Sequence, residues 1–195
     1  MPNKGNRQRM RVYGEAMRAI AELGPDRVTM RVLGARLGMS PGHILYFFGS
    51  KDRLLLETLH WSEENWIRRE TLKLDQIISP QGRLDRLVEG YLPRSSRDPR
   101  WLLWAHVYAR PPRDAKDKEL LEVWSQPWVD ILCDILVAGV DAGEFRQLDV
   151  AKVALRSFIL MDGMSISVLL GLRGYGPKWA RAEAIDWFRE VTAKA

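Results

Sequence analysis

The stretch RVLGARLGMSPGHILYFFGSK, residues 31–51, must end one helix and begin another within four residues, which constrains the fold more than any other feature of the chain. Val32, Leu33 and Leu37 recur at helical spacing behind Thr29, a residue that caps helices, and Gly38 permits the positive φ that stops them. Ser40 then caps a second helix whose first position is Pro41, where a missing N–H costs nothing. The turn itself is Gly38 and Met39. Helices joined so tightly cross steeply, so one contact between them must be small. Gly34 supplies it, while Ile44 and Phe48 fall on the buried side of the later helix. Together these features specify a helix-turn-helix. The competing reading is an αα-hairpin with no further role.

Charge separates the two readings. The net charge is +5, yet residues 1–53 alone hold ten Lys or Arg against four acids, so the rest of the chain is about neutral. Positive charge concentrated on a short segment favours a polyanion through counterion release, and a basic arm such as Lys4 to Arg11, with Arg7 and Arg9, can follow a phosphate backbone if it is unstructured. In a helix-turn-helix the later helix presents its N-terminal half to the major groove. Gly42 would keep that backbone close to DNA, His43 would reach a base edge or phosphate, and Tyr46 lies one turn further along the same side. Ser40 and Lys51 are placed for phosphates on either flank.

Residues 28–55, VTMRVLGARLGMSPGHILYFFGSKDRLL, resemble the DNA-binding domain of the TetR family of bacterial transcription regulators. Thr29, Gly38, Ser40, Gly42, Phe48, Ser50 and Lys51 match its pattern; Leu45 departs from it where the family commonly has Tyr, and Tyr46 is the candidate replacement. The resemblance implies an all-α protein: an N-terminal three-helix helix-turn-helix DNA-binding domain over residues 1–50, then a larger helical ligand-binding and dimerisation domain over 51–195. It also implies a homodimer on palindromic double-stranded operator DNA, and a repressor released by a small molecule through a pendulum-like movement of the helix that starts at Lys51. DNA contacts are expected from Arg7, Arg9, Thr29, Arg31, Ser40, Pro41, Gly42, His43, Tyr46 and Lys51. A nucleoid-associated or constitutive DNA-binding protein without a ligand is the alternative.

Helical spacing continues through the rest of the chain, with a long helix from Lys51 to about Leu74 and further helices near 81–95, 99–109, 115–142, 149–171 and 178–193. Pro80, RSSRDP at 94–99, RPPRD at 110–114 and AGEFR at 142–146 separate them. The segments WLLWAHVYA and FILMDGMSISVLLG resemble the BetI-type branch of the family, with its Asp-Gly pair in the penultimate helix. Eight tryptophans are many for 195 residues. Trp61, Trp66, Trp104, Tyr108, Trp124 and Trp128 either fill the core or line a cavity for an aromatic or cationic effector. Asp162, an acid on a largely apolar helix, with Met161 and Ser165 beside it, is either a structural carboxylate or a ligand group. For assembly, Val153, Ala154, Phe158, Met161, Ser165 and Val168, joined by Ala184, Trp187, Phe188 and Val191, are expected to pair with their symmetry mates as a four-helix bundle.

Catalysis finds little support. His43, His60 and His106 are scattered, Cys133 stands alone, and neither a metal-ligand spacing nor a phosphate-cradling glycine loop occurs. No catalytic residues, metal or cofactor are expected. The N-terminus lacks a signal-like apolar run, and no segment reads as apolar over the roughly 20 residues that a bilayer span requires. A soluble cytoplasmic protein without membrane contact is the expectation.

Overall fold

The computed structural model describes residues 4–111 and 115–194, so part of the basic N-terminus and of the RPPRD boundary lies outside the described residues. The described residues form α1 (Lys4–Leu23), a 3-10 turn (Pro25–Arg27), α2 (Met30–Leu37), α3 (Pro41–Phe48), α4 (Lys51–Leu74), α5 (Pro80–Tyr91), α6 (Pro99–Ala109), α7 (Ala115–Asp141), α8 (Val150–Leu169) and α9 (Pro177–Thr192). α5 stops at Tyr91, short of the expected 95, because Pro93 follows and the residue before a proline is steered out of the helical region. The basic segment is helical from Lys4, so among the described residues it is part of α1 and not an unstructured arm.

The chain packs as two compact units. The first holds α1 to α3, the part of α4 up to Asn65, and α6, which packs against α1. The second holds Trp66–Ser96, which carries the rest of α4 and α5, together with α7 to α9. Val12, Ala16, Ala19 and Ile20 of α1 are fully buried in the first unit with Leu33, Ile44, Leu54 and Leu59. Each of the larger aliphatic side chains contributes roughly 1.5–3 kcal/mol by leaving water. Polar pairs add direction: Tyr13 donates to Glu57 Oε2 at 2.8 Å. Burial first, and Glu57 beside it second, push the Tyr13 hydroxyl up to about 12, so it remains a donor.

The second unit is built on Leu84, Leu87, Val88, Trp128, Leu132, Ile135, Met161, Val168, Ala184 and Phe188, supplied by α5, α7, α8 and α9. Phe145 folds back so closely that a Cβ on Gly139 would lie 1.9 Å from its ring, which explains why the AGEFR turn follows a glycine. α7 corrects one expectation. Over Asp117–Asp141 it is the one described helix that is long and apolar enough to cross a membrane. One side of it, with Trp128, Leu132, Ile135 and Leu136, packs in the core of the second unit, while Val123 and Val137 are exposed.

The residues expected to form the dimer face are corrected as well. Ala154, Met161, Ser165 and Val168 of α8 are buried within one protomer, as are Ala184 and Phe188 of α9, and Trp187 Nε1 donates to Ser157 Oγ at 2.9 Å. The surface that α8 leaves open carries Leu155, Ile159 and Ile166, continued by Leu170 at its C-cap.

Candidate nucleic-acid interface and effector site

Local chemistry builds the reading helix. Thr29 Oγ1 accepts from Val32 N, and Ser40 Oγ accepts from His43 N, both at 3.1 Å, which satisfies amides that the first helical turn leaves open. Gly38 closes α2 with φ 66°. Gly34 is needed where expected: a Cβ there would lie 2.5 Å from the carbonyl oxygen of Met39. Ile44 and Phe48 turn inward, leaving Pro41, Gly42, His43 and Tyr46 exposed along the other side of α3, with Tyr46 at 86% exposure. The capped N-termini of α2 and α3 direct amides outward, an arrangement suited to phosphate. Arg7 and Arg31 are exposed on the same unit.

A Cβ added at Gly42 would meet nothing within 4 Å, and the residue lies inside a regular helix, so folding does not require a glycine there. Gly42→Ala is expected to stabilise the protein by about 0.5 kcal/mol, through a smaller loss of backbone freedom, while weakening DNA binding several-fold. Thermal melting and an operator titration on the same sample check this, and equal affinity would show that the backbone does not approach DNA there.

Two of the expected phosphate contacts also have partners within the protein. Arg9 Nη2 donates to the Phe47 carbonyl at 2.9 Å, Nη1 lies 3.3 Å from Glu57 Oε2, and the guanidinium sits over the Phe48 ring. It therefore ties the C-terminal end of α3 to α1 and α4. Lys51 Nζ donates to the Asp26 carbonyl at 2.7 Å, fixing the start of α4 to the 3-10 turn.

The expected effector residues fall into the two units. In the first, Trp61 packs 5.8 Å from Tyr13, and Trp104 stacks at a tilt on the exposed Tyr108. Trp104 Nε1 also donates to Glu63 Oε1 at 2.9 Å, and Arg100 Nη1 is 3.5 Å from the same oxygen. Glu63 and Arg100 are both buried and were not anticipated. Their partnership joins α4 to α6 across 37 positions, with no periodic signal to announce it.

In the second unit Trp66 donates to the Gly90 carbonyl at 2.7 Å and lies beneath the guanidinium groups of Arg69 and Arg94. Trp124, Met161 and Ser165 are buried in this unit, and Ser165 Oγ donates to the Met161 carbonyl at 2.7 Å. Trp128 and Asp162 meet at a residue that sequence reasoning missed. Tyr91, at the end of α5, donates its hydroxyl to Asp162 Oδ1 at 2.6 Å. Its ring stands edge-on to Trp128 at 5.2 Å and to Phe158 at 5.1 Å. Phe158 is one turn before Asp162, so α8 offers a ring and a carboxylate on one side. Three aromatic rings and an acid thus converge from three helices, electrostatics that favour a cation with an apolar surround.

Comparison with known proteins agrees with both halves. Residues 13–58 match the family model described as bacterial regulatory proteins, tetR family, and residues 80–193 match that of the BetI-type transcriptional repressor, C-terminal. The chain is 26% identical over 182 residues to the HTH-type transcriptional regulator BetI of Agrobacterium fabrum, covering 93% of this chain and 86% of that protein. It is similar to the crystal structure of a proposed transcriptional regulator from Saccharomonospora viridis in complex with choline, with a TM-score of 0.88, 29% identity, and coverage of 97% of this chain and 100% of that one. A TetR transcription regulator from Haloarcula marismortui shares the fold, with a TM-score of 0.82 at 19% identity over 96% of this chain and 100% of that one. The matched families are regulators rather than enzymes. The chain belongs to the TetR family, with a C-terminal region of the BetI type, and is a ligand-responsive DNA-binding transcriptional regulator.

Proposed function

We propose that this regulator acts as a homodimer on a palindromic operator, reads base edges with His43 and Tyr46, and is released by a small quaternary ammonium ion held in the second unit. The observation that carries the effector class is the carboxylate of Asp162 joined to Tyr91, with Trp128 and Phe158 around the same ring. A quaternary ammonium has no N–H to donate, so it is recognised by aromatic faces and a nearby negative charge rather than by directed hydrogen bonds. The choline in the Saccharomonospora viridis protein supports the same class. For DNA, the Ser40 and Thr29 hydroxyls, together with Arg7 and Arg31, are the phosphate contacts that set the register of α3.

Release requires that the effector bind the DNA-free conformation more tightly than the DNA-bound one, since equal affinity for both would shift nothing. The test is calorimetric titration with choline and with 3,3-dimethylbutanol, in which carbon replaces the quaternary nitrogen. Choline is expected to bind at least about tenfold more tightly than the neutral isostere, and Asp162→Asn is expected to erase most of that preference, about 1–2 kcal/mol. An operator titration run beside it should show choline releasing the wild type and not the variant. Equal binding of the two molecules would remove the ammonium reading and leave DNA recognition untouched.

A further inference from the structure

The exposed His43 is not free to rotate at will. Gln8, in the second turn of α1, places its Nε2 3.2 Å from His43 Nε2 and 3.9 Å from Met39 Sδ. A thioether sulfur only accepts, so its presence selects the NH2 end of the amide at this point, and the two N–H bonds of that group serve both neighbours. His43 Nε2 is then an acceptor, and in the neutral ring the proton resides on Nδ1. The ring is further held edge-on to Phe47, 5.0 Å away, and Nδ1 has no hydrogen-bond partner among the described residues.

We propose that Gln8 is a specificity-determining positioning residue: by holding His43 as the Nδ1–H tautomer, it makes α3 offer a donor where the other tautomer would offer an acceptor. This inference rests on the reading of His43 as a base contact. In the major groove a donor pairs with guanine O6 or N7, adenine N7 or thymine O4, and is rejected by the N4 amino group of cytosine. The consequence is a preference at one base pair of each half-site for an acceptor-bearing base over cytosine on the contacted strand. Gln8 imposes it without touching DNA.

Two measurements on the full-length dimer test this. Operator libraries varied at each position are titrated with the wild type, Gln8→Leu and His43→Ala; Leu keeps the size and helix propensity of Gln while removing its amide. His43→Ala should erase the discrimination at one base pair per half-site, and Gln8→Leu should reduce it about tenfold at that same base pair and at no other. Selective 15N labelling of histidine, with His43 assigned by its loss in His43→Ala, should show Nδ1 protonated in the DNA-free wild type at a pH where the ring is neutral. The Nε2–H form should gain population in Gln8→Leu. If Gln8→Leu keeps the discrimination that His43→Ala erases, or the wild-type ring carries its proton on Nε2, Gln8 has no such role although His43 still reads a base. If His43→Ala weakens binding equally on every sequence, the base-reading assignment fails and the inference falls with it.

Discussion

Gly34→Ala is expected to abolish operator binding, with a loss of at least about 100-fold, while the second unit stays folded. The added Cβ would sit 2.5 Å from the Met39 carbonyl oxygen, and that oxygen belongs to backbone, which cannot swing aside as a flexible side chain can. Met39 is itself pinned, because its N–H donates to the Gly34 carbonyl at 2.9 Å and Gly38 just before it is committed to φ 66°. Relief therefore means moving the turn, and with it Ser40 and the origin of α3. Overpacking of this kind costs about 1–3 kcal/mol or more, and an eight-residue helix has almost no stability of its own to absorb it. A loss of about 3 kcal/mol in the reading-competent state corresponds to the predicted 100-fold. Amide exchange should rise in α2 and α3 and remain slow across α7 and α8, and an operator titration gives the affinity. Wild-type affinity in this variant would mean that the turn opens at little cost. Gly42→Ala, eight residues further on, is the internal contrast, since a Cβ added there would meet nothing within 4 Å.

The helix-turn-helix was legible because everything that specifies it is local. Thr29, Gly34, Gly38, Ser40 and Pro41 act through caps, a turn and one close contact within thirteen residues. Arg9 and Lys51 show the limit of that legibility: a basic residue near a reading helix looks the same in sequence whether it faces phosphate or, as here, the carbonyls of Phe47 and Asp26. The Tyr91–Asp162 hydrogen bond spans 71 positions, and Glu63 with Arg100 spans 37, so neither leaves a periodic trace. Tyr91 closes an ordinary amphipathic helix, and its partner is decided by where α8 packs. Asp162 could be singled out as an acid among apolar residues, but what it faces could not.

α8 shows a different ambiguity. Val153, Ala154, Phe158, Met161, Ser165 and Val168 follow helical spacing, and so do Leu155, Ile159, Ile166 and Leu170 on another side, with exposed Gly163 between them. A helix apolar on so much of its circumference has two candidate inner faces, and periodicity cannot rank them. Packing ranks them: Met161, Ser165 and Val168 lie inside the protomer, while Leu155, Ile159 and Leu170 are each more than 60% exposed. A continuous apolar stripe of this kind is the surface a protein covers with a partner.

Ile159→Glu is accordingly expected to convert the dimer to monomer at micromolar concentration and to weaken binding to a full palindromic operator by about 1,000-fold. Ile159 is 65% exposed in the protomer, so the charge disturbs no internal packing, and helix content and melting of the isolated chain should stay close to wild type. In a two-fold interface each substitution is felt twice, because the same patch serves both subunits. Two lost burials at about 2 kcal/mol each give roughly 4 kcal/mol, hence the 1,000-fold figure. The DNA effect follows from geometry, since one reading helix spans only a few base pairs and a monomer can engage one half-site at a time. Met161→Glu makes the opposite case: Met161 is fully buried in the protomer, so that variant should unfold the second unit instead of parting two folded subunits. Sedimentation equilibrium with far-ultraviolet circular dichroism separates the two behaviours. A folded Ile159→Glu variant that remains dimeric would place the interface elsewhere than on this stripe.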